Sequence, residues 1–566
     1  MVAFKLLSGL GQLGKGARAS ARFNVPCRKV QEIPSPLSSC SLKRRERRAP
    51  CAMIERCSVL RSSAITRLSL LLLSLALACV VPAAEVEKGA RSLADRESDY
   101  YKIITLPTPA GVQFESGALQ FIGPDSLACS TRTGDIWIGQ GVLSHPTETQ
   151  WKLFESGLHE VLGLAWRDGW LYALQRGEIT RLKDINGDGR ADIVETVCDG
   201  WGIGGDYHEY AFSSKFDRDG NIWVALTLTG SFSSQNPYRG WCVRVNADGT
   251  MIPTCSGVRS AGGVGFNAAG DCFFTDNQGP WNGACKLHWL KPGKFVGHPD
   301  GNRWFDDPAT KDAIAAAGVK KPAQPKDESR EYEEAKRIPE LLLPAVYFPY
   351  PKMGQSASGI ACDLGAGKFG PFKEQLFVGD QTHSTVMRVF LEMVDGQYQG
   401  ACFPFREGFG SGNLALEFAP DASLFVFGTD RGWGARGGKP FALQSLSWTG
   451  KVPFEIHEMK AMPDGFEFSF TQPLDAETAA KPESYSIETY TYIYHASYGS
   501  PEVDQTTPKI KEARVSPDRT RVRLMIDGLV EGHVHELHLT GIRSTAAEPL
   551  LHAAAYYTLN KIPAKP

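Results

Sequence analysis

Residues 184 to 195 read DINGDGRADIVE, a D-x-N-x-D-G-x-x-D-x-x-E run. Its spacing is that of a twelve-residue calcium loop: Asp184, Asn186, Asp188, Asp192 and Glu195 occupy oxygen-donor positions, Arg190 sits where a backbone carbonyl serves, and Gly189 follows at the sharp turn. Hard oxygen donors in that order suit calcium. A second set of polar residues recurs after hydrophobic runs, in TDNQ, VGDQTH and GTDRGWG. It comprises Asp276, Asn277, Asp380, Gln381, His383, Asp430 and Arg431. Carboxylates, amides and an imidazole brought together suit a sugar or a divalent ion, with Trp433 or Trp281 as a stacking face. The same residue types also close turns between strands, and the sequence leaves both readings open.

These groups need a scaffold, and composition narrows it. The chain has 566 residues with 58 Gly, 35 Pro, 12 Trp, 29 Phe and 17 Tyr, rich in turns and aromatics and unlike a string of calcium-sensing helix pairs. Its net charge is −2, and beyond the N-terminal segment no basic stripe interleaves with aromatics, which argues against nucleic acid as a partner. Residues 1–52 are basic and without apolar periodicity: a disordered tail or a start assigned too far upstream. From Met53 a positive segment, an apolar run over Leu68–Val81 and small residues before Ala84 form a secretory signal, residues 53–84, too short for a comfortable membrane span. Export to the periplasm or beyond is the expectation, with no stable span in the mature chain. The eight cysteines after that point are even in number, as suits an oxidising compartment; Cys242 and Cys255 flank the turn NADG and are either neighbours across a hairpin or buried reduced thiols, and the sequence leaves both readings open. No C-x-x-C-H haem motif is present.

A repeat organises the middle of the chain. SLACSTRTGDIWIG, LAWRDGWLYALQ, SKFDRDGNIWVAL, GVGFNAAGDCFFTD, GIACDLGAGKFGPFKEQLFVGD and LALEFAPDASLFVFGTD each read as strand, tight turn, strand. Six copies at blade-length intervals predict an all-β, six-bladed β-propeller over residues 100–452. Equivalent strand ends in a propeller surround one mouth of its channel. The long interval between copies four and five predicts a helical insertion at about 300–340. Period-two runs after Pro453 predict a small C-terminal β-sandwich, Ig-like, over 453–563.

The segments also carry a family resemblance. GLHEVLGLAWRDGWLYALQRGEITRL, HEYAFSSKFDRDGNIWVALTLTG, SGVRSAGGVGF, FVGHP and SASGIACDL…EQLFVGD, in that order over roughly residues 150–435, resemble the soluble glucose/sorbosone dehydrogenases, six-bladed quinoproteins that oxidise sugars with pyrroloquinoline quinone. The wording looks closest to the large secreted, planctomycete-type set. The resemblance implies that His208 takes a proton from a sugar hydroxyl as hydride moves to the quinone, and that Arg259 contacts quinone and substrate. The chain departs from the family at Ser260, where the family has Asn, and in the last-blade segment GSGNLALEF, which lacks the family's arginine. Arg406, Arg431 or Arg436, with Asp380, His383 and Asp430, are the replacement contacts to the cofactor. Two function classes follow. One is a secreted sugar or alcohol dehydrogenase with pyrroloquinoline quinone and an external electron acceptor. The other is a propeller that binds carbohydrate or protein without redox chemistry. A calcium-dependent lactonase on the same fold, using Asp276, Asn277 and Asp380, stands beside them.

Overall fold

Short alternating runs of aromatic and β-branched residues bury one face against each neighbouring layer, and a series of them must stack sheet on sheet. The computed structural model describes residues 91–228, 234–432 and 434–565, so the basic segment, the expected signal peptide and Trp433 lie outside the described residues. Within these residues the inner strands Ser116–Gly123, Gly163–Arg167, Ala211–Phe216, Ala261–Phe266, Ala357–Cys362 and Asn413–Phe418 each begin an antiparallel sheet, blades 1 to 6. Each inner strand neighbours the next, and that of blade 6 neighbours that of blade 1, so the ring is closed.

Closure comes from a strand distant in sequence. Blade 6 takes three strands from residues 413–448, and its outermost strand is Tyr101–Leu106, in register from Tyr101 opposite Trp448 to Leu106 opposite Leu443. The inner strands are glycine-rich because they crowd the axis. A Cβ on Gly117 would stand 2.2 Å from the Val161 carbonyl oxygen, and one on Gly262 2.1 Å from that of Ala357. The apolar core lies between blades. Trp223 and Ala225 of blade 3 meet Val264 and Phe274 of blade 4, and Phe425 and Phe427 of blade 6 meet Leu119 and Leu127 of blade 1. Cys242 and Cys255 face each other in register across the blade 3 hairpin, and both are free thiols inside this core.

The long interval lies between the third and fourth strands of blade 4. It holds a 3-10 turn, Pro299–Phe305, and short helices Lys311–Ala316 and Glu331–Arg337. Beyond the propeller the chain forms two four-stranded layers. One comprises Ile456–Met462, Gly465–Phe470, Arg521–Asp527 and Lys509–Val515; the other comprises Ala554–Leu559, His533–His538, Ser486–Tyr492 and Glu502–Thr506. The second layer is not detached. Gly400, Ala401 and Cys402 on the outer strand of blade 5 pair with Thr558, Tyr557 and Tyr556, giving one eight-stranded sheet. Blade 5's two outer strands are ten residues each, and their Phe390 and Phe403 pack into the C-terminal core with Phe466, Leu524 and Tyr557.

One buried polar network ties the ends together. The His552 imidazole bonds Glu455 at 2.5 Å and Glu97 at 2.8 Å, and Glu97 also accepts from Arg406 at 3.0 Å. Burial disfavours the imidazolium, but Glu455 and Glu97 outweigh it and hold the pKa up to about 9. Below the unfolded value near 6.5 both states carry the proton, and the stabilisation is complete. Between about 6.5 and 9 the unfolded chain releases it first, so stability is lost as pH rises. Melting temperature is therefore expected to fall across that window by the equivalent of up to about 3 kcal/mol, and His552→Gln is expected to flatten the slope. Calorimetric melts of both proteins from pH 6 to 9.5 check this.

Candidate functional site

The last residue of each blade's second strand, or the residue after it, is polar, and in blades 2 to 5 its side chain satisfies the loop that starts the inner strand. In blade 4 the Asp276 carboxylate accepts from the Ser260 amide at 2.6 Å and the Arg259 amide at 3.2 Å. In blade 5 Asp380 accepts from Gln355, Ser356 and His383 amides at 2.8, 2.8 and 2.7 Å. In blade 2 Gln175 accepts from the His159 amide at 2.6 Å, and in blade 3 the Thr227 hydroxyl donates to the His208 carbonyl at 2.5 Å. The expectation that Asp276 and Asp380 are ligand groups is thus corrected: both are buried and pin backbone amides, which an unpaired carboxylate would not survive burial without. The lactonase reading loses two of its three side chains with them.

What these anchors position is a concave pocket at one mouth of the channel, lined by groups from every blade. Convergent polar groups in such a concavity are what a small-molecule site needs. His208, Asn277, Gln381 and Arg431 of the predicted set line it, together with Arg132, Glu160, Tyr207, Tyr210 and Ser260. The opposite mouth is wider and lined mostly by glycines, aliphatic residues and phenylalanines. Its one ion pair, Lys215–Glu417 at 2.7 Å, is engaged with the inner-strand carbonyls of Leu119 and Leu164.

His208 owes its position to its backbone. The Arg176 guanidinium donates to the Asp206 and Tyr207 carbonyls at 2.9 and 2.7 Å, Arg239 donates to the Tyr210 carbonyl at 2.8 Å, and the buried Glu209 accepts from the Gly204 amide at 2.6 Å. The imidazole itself stays half-buried on the lining. Burial pushes its pKa down, Arg259 and Arg176 push the same way, and Asp206 opposes them, so the ring is neutral near pH 7. Tyr207 stands edge-on to it with ring centroids 4.8 Å apart. Hydrogen bonds from Tyr210 and Arg132 hold the Tyr207 hydroxyl below the usual phenol range, while burial raises that of Tyr210. Glu160 bridges Arg132 at 2.7 Å and Arg176 at 2.5 Å, so two cations share one carboxylate beside the imidazole.

Arg259 lies just behind the lining, almost fully buried, donating to the Asn277 carbonyl at 2.9 Å. Arg431 is half-exposed and meets Glu115 at 3.3 Å. Gln381 donates to the Thr429 and Arg431 carbonyls at 3.3 and 2.9 Å and so couples blades 5 and 6 at the rim. The other expectations part from this site. Arg406 is corrected to a structural role, its guanidinium buried against Glu97 and the Tyr101 carbonyl. His383 is buried off the lining beside Asp380, and Asp430 is half-buried without reaching it. The signal for the residues that spacing alone did not single out is present in the sequence. Arg132 in STRTGD and Arg176 in LQRGE directly follow the strand-end anchor in blades 1 and 2, as Asn277 and Gln381 do in blades 4 and 5, and Arg431 lies one residue further on in blade 6.

The calcium-type loop joins the third and fourth strands of blade 2, at the end of the blade away from His208. Asp184 accepts from the Gly187 and Gly189 amides at 2.7 Å each, Asn186 from Asp188 at 2.7 Å, Asp188 from Arg190 at 2.9 Å, and Asp192 from Ile185 at 2.7 Å. Glu195 is not part of the set: it lies on the outer strand and pairs with Arg181 at 2.6 Å. Among the described residues no three acidic, histidine or cysteine side chains converge on a metal position. No helix among them is long and apolar enough to cross a membrane.

Residues 148–401 match a family model described as a domain of unknown function (DUF7133). No curated protein matches the chain. Among solved structures, an oxidoreductase described as a glucose dehydrogenase, from Thermus, is similar over 61% of this chain and 99% of its own, at 17% identity and a TM-score of 0.44. The PQQ-bound aldose sugar dehydrogenase of Streptomyces coelicolor is similar over 62% and 98%, at 16% identity and 0.44. The soluble aldose sugar dehydrogenase of Escherichia coli, in its apo form, is similar over 61% and 99%, at 14% identity and 0.38.

Two stability outcomes follow from the anchors. Asp276→Ala leaves two backbone amides without an acceptor and is expected to cost about 1–3 kcal/mol, whereas Glu195→Ala stays within about 0.5 kcal/mol. Asp184→Ala is expected to lower the melting temperature equally in calcium and in chelator, since its bonds are to loop amides. A loss confined to calcium would instead assign it to a bound ion.

Proposed function

We propose that this chain is an exported propeller oxidoreductase of the sugar or alcohol dehydrogenase class, acting at the His208 mouth. The observation that carries the reading is a neutral imidazole, fixed through its backbone, facing a polar pocket flanked by arginines. His208 accepts the proton of a substrate hydroxyl. Arg259 and Arg176 then disfavour the positive charge of the imidazolium, which keeps the ring ready to pass the proton on. Asn277, Ser260 and Tyr207 supply the hydrogen bonds that orient a polyol, and Tyr210 and Phe212 wall the pocket against water.

The cofactor implied by the resemblance is a planar polyanion. The donor set suits one on its blade 6 and blade 1 side, where the half-exposed Arg431 has guanidinium N–H groups beyond its contact with Glu115, and where Arg132 stands next to it on the lining. Pyrroloquinoline quinone, when bound, supplies the two-electron acceptor, and electrons leave to an external partner. A second reading, carbohydrate binding without redox chemistry, is favoured by one feature: Arg132 and Arg431 already face Glu160 and Glu115, which weakens the attraction for a polyanion.

The deciding experiment is titration of the purified protein with pyrroloquinoline quinone, followed by absorbance and by a dye-linked assay over a panel of sugars. Saturable binding with sugar-dependent dye reduction is expected. His208→Ala is expected to lower turnover by about 10²–10⁴-fold with quinone binding retained, and the acid limb of the wild-type profile to have its midpoint below 6.5. Sugar binding without quinone binding or dye reduction selects the second reading.

A further inference from the structure

Among the described residues, the most exposed of the large hydrophobic side chains is Tyr498, at 69%, and the only other aromatic left so open is Tyr207, at 50%. Both stand at the same mouth. Tyr207 lines the pocket beside His208, whereas Tyr498 arrives from the C-terminal layers, on the loop after strand Ser486–Tyr492.

That loop is fastened to the propeller. Tyr498 makes an isolated β-bridge with Pro280, the Gly499 amide donates to the Gly279 carbonyl at 3.1 Å, the Ser500 amide donates to the Gly283 carbonyl at 3.1 Å, and the Trp281 amide donates to the His495 carbonyl at 2.7 Å. The seam is tight on both sides. A Cβ on Gly279 would overlap the Arg259 guanidinium at 1.9 Å, one on Gly283 would meet Tyr492 at 2.5 Å, and Gly499, at φ +65°, would meet Gln278 at 2.8 Å. His495 closes the loop on itself, bonding the Gly499 carbonyl at 2.7 Å and Glu328 of the blade 4 insertion at 2.9 Å. Three parts of the chain thus converge to hold one aromatic ring.

One face of that ring covers Arg259, whose guanidinium carbon lies 5.4 Å from its centroid. The other face is open. A rigid, amphipathic ring held at low entropic cost beside amide and hydroxyl groups matches the flat C–H face of a sugar, which stacks on an aromatic without giving up the hydrogen bonds of its rim. Because Arg259 sits behind the pocket lining, a ligand on Tyr498 lies outside the cavity that holds the reacting hydroxyl. We propose that the Tyr498 loop forms an outer saccharide subsite, so that the preferred substrate is an oligosaccharide with one sugar at His208 and a further sugar stacked on Tyr498. This rests on the sugar-oxidising reading above, and it assigns the C-terminal layers a part in specificity.

The test compares wild type, Tyr498→Ala and Tyr498→Phe on glucose, maltotriose and cellotriose in the dye-linked assay, with binding of the same sugars measured by calorimetry. Loss of one stacking contact is expected to raise KM and Kd for a trisaccharide roughly tenfold in Tyr498→Ala. Glucose constants change far less than those of the trisaccharide, the melting temperature is preserved, and Tyr498→Phe, which keeps the ring, retains the trisaccharide affinity. Equal trisaccharide constants in wild type and Tyr498→Ala overturn the subsite while leaving the sugar site standing. A wild type that neither binds nor oxidises any of the three sugars overturns the sugar site itself, and the subsite with it.

Discussion

Six blades make a site only if the ring is shut, and one antiparallel pairing shuts it. Tyr101–Leu106, from the beginning of the described chain, completes the blade that ends at Trp448. Without it the third strand of blade 6 would be an exposed edge, and the apolar faces of blades 6 and 1 would have no fixed partner. The pairing is long-range, so its loop-closure entropy is met only by burial along the whole blade 6–blade 1 interface, where Phe114, Leu119 and Phe427 lie. The neighbouring Glu97–His552–Glu455 network, with Arg406, reinforces the same junction from the C-terminal side.

Closure converts local turn chemistry into a shared geometry. Each strand-end polar residue acts within its own blade, satisfying up to three amides or a carbonyl. Once the blades form a circle, the residues next to those anchors face one another: Arg132, Asn277, Gln381 and Arg431 come from four different blades. The carboxylates at these positions are consumed by backbone amides, and the amides and guanidinium groups beside them are what remains for a ligand. The imidazole of His208 is poised by the same arrangement, because two arginines and partial burial bear on it together.

The C-terminal layers extend that logic. Their second sheet continues blade 5 through Gly400–Cys402, so the two regions share strands, core and orientation. A loop carried by that sheet is therefore held in register with the propeller, and the glycine seam at Gly279, Gly283 and Gly499 brings Tyr498 to the rim.

The sequence by itself determined much of this protein. Period-two runs and turn residues specify the strands of the six repeats, inner-strand glycines mark where backbones crowd, and the helical insertion shows as an interval too long for a blade. The hairpin of Cys242 and Cys255 is likewise local, although a bulge beside Val243 is what brings the two thiols opposite each other. The segments HEYAFSSKF and SGVRSAGG mark His208 and Arg259, and the strand-end pattern marks Asn277, Gln381 and Arg431. What only the tertiary structure decided is pairing and direction. Strand Tyr101–Leu106 has no local signal for its partner, because a strand's hydrogen-bonding groups are the same whatever it pairs with. Whether Asp276 or Asp380 faces a ligand or an amide depends on a loop that folds back from another strand. Arg406 and Arg431 look alike in sequence, yet one is buried against Glu97 and the other stands open at the mouth. Tyr498 reaches Arg259 across more than two hundred residues, a contact that exists only because the second C-terminal sheet joins blade 5.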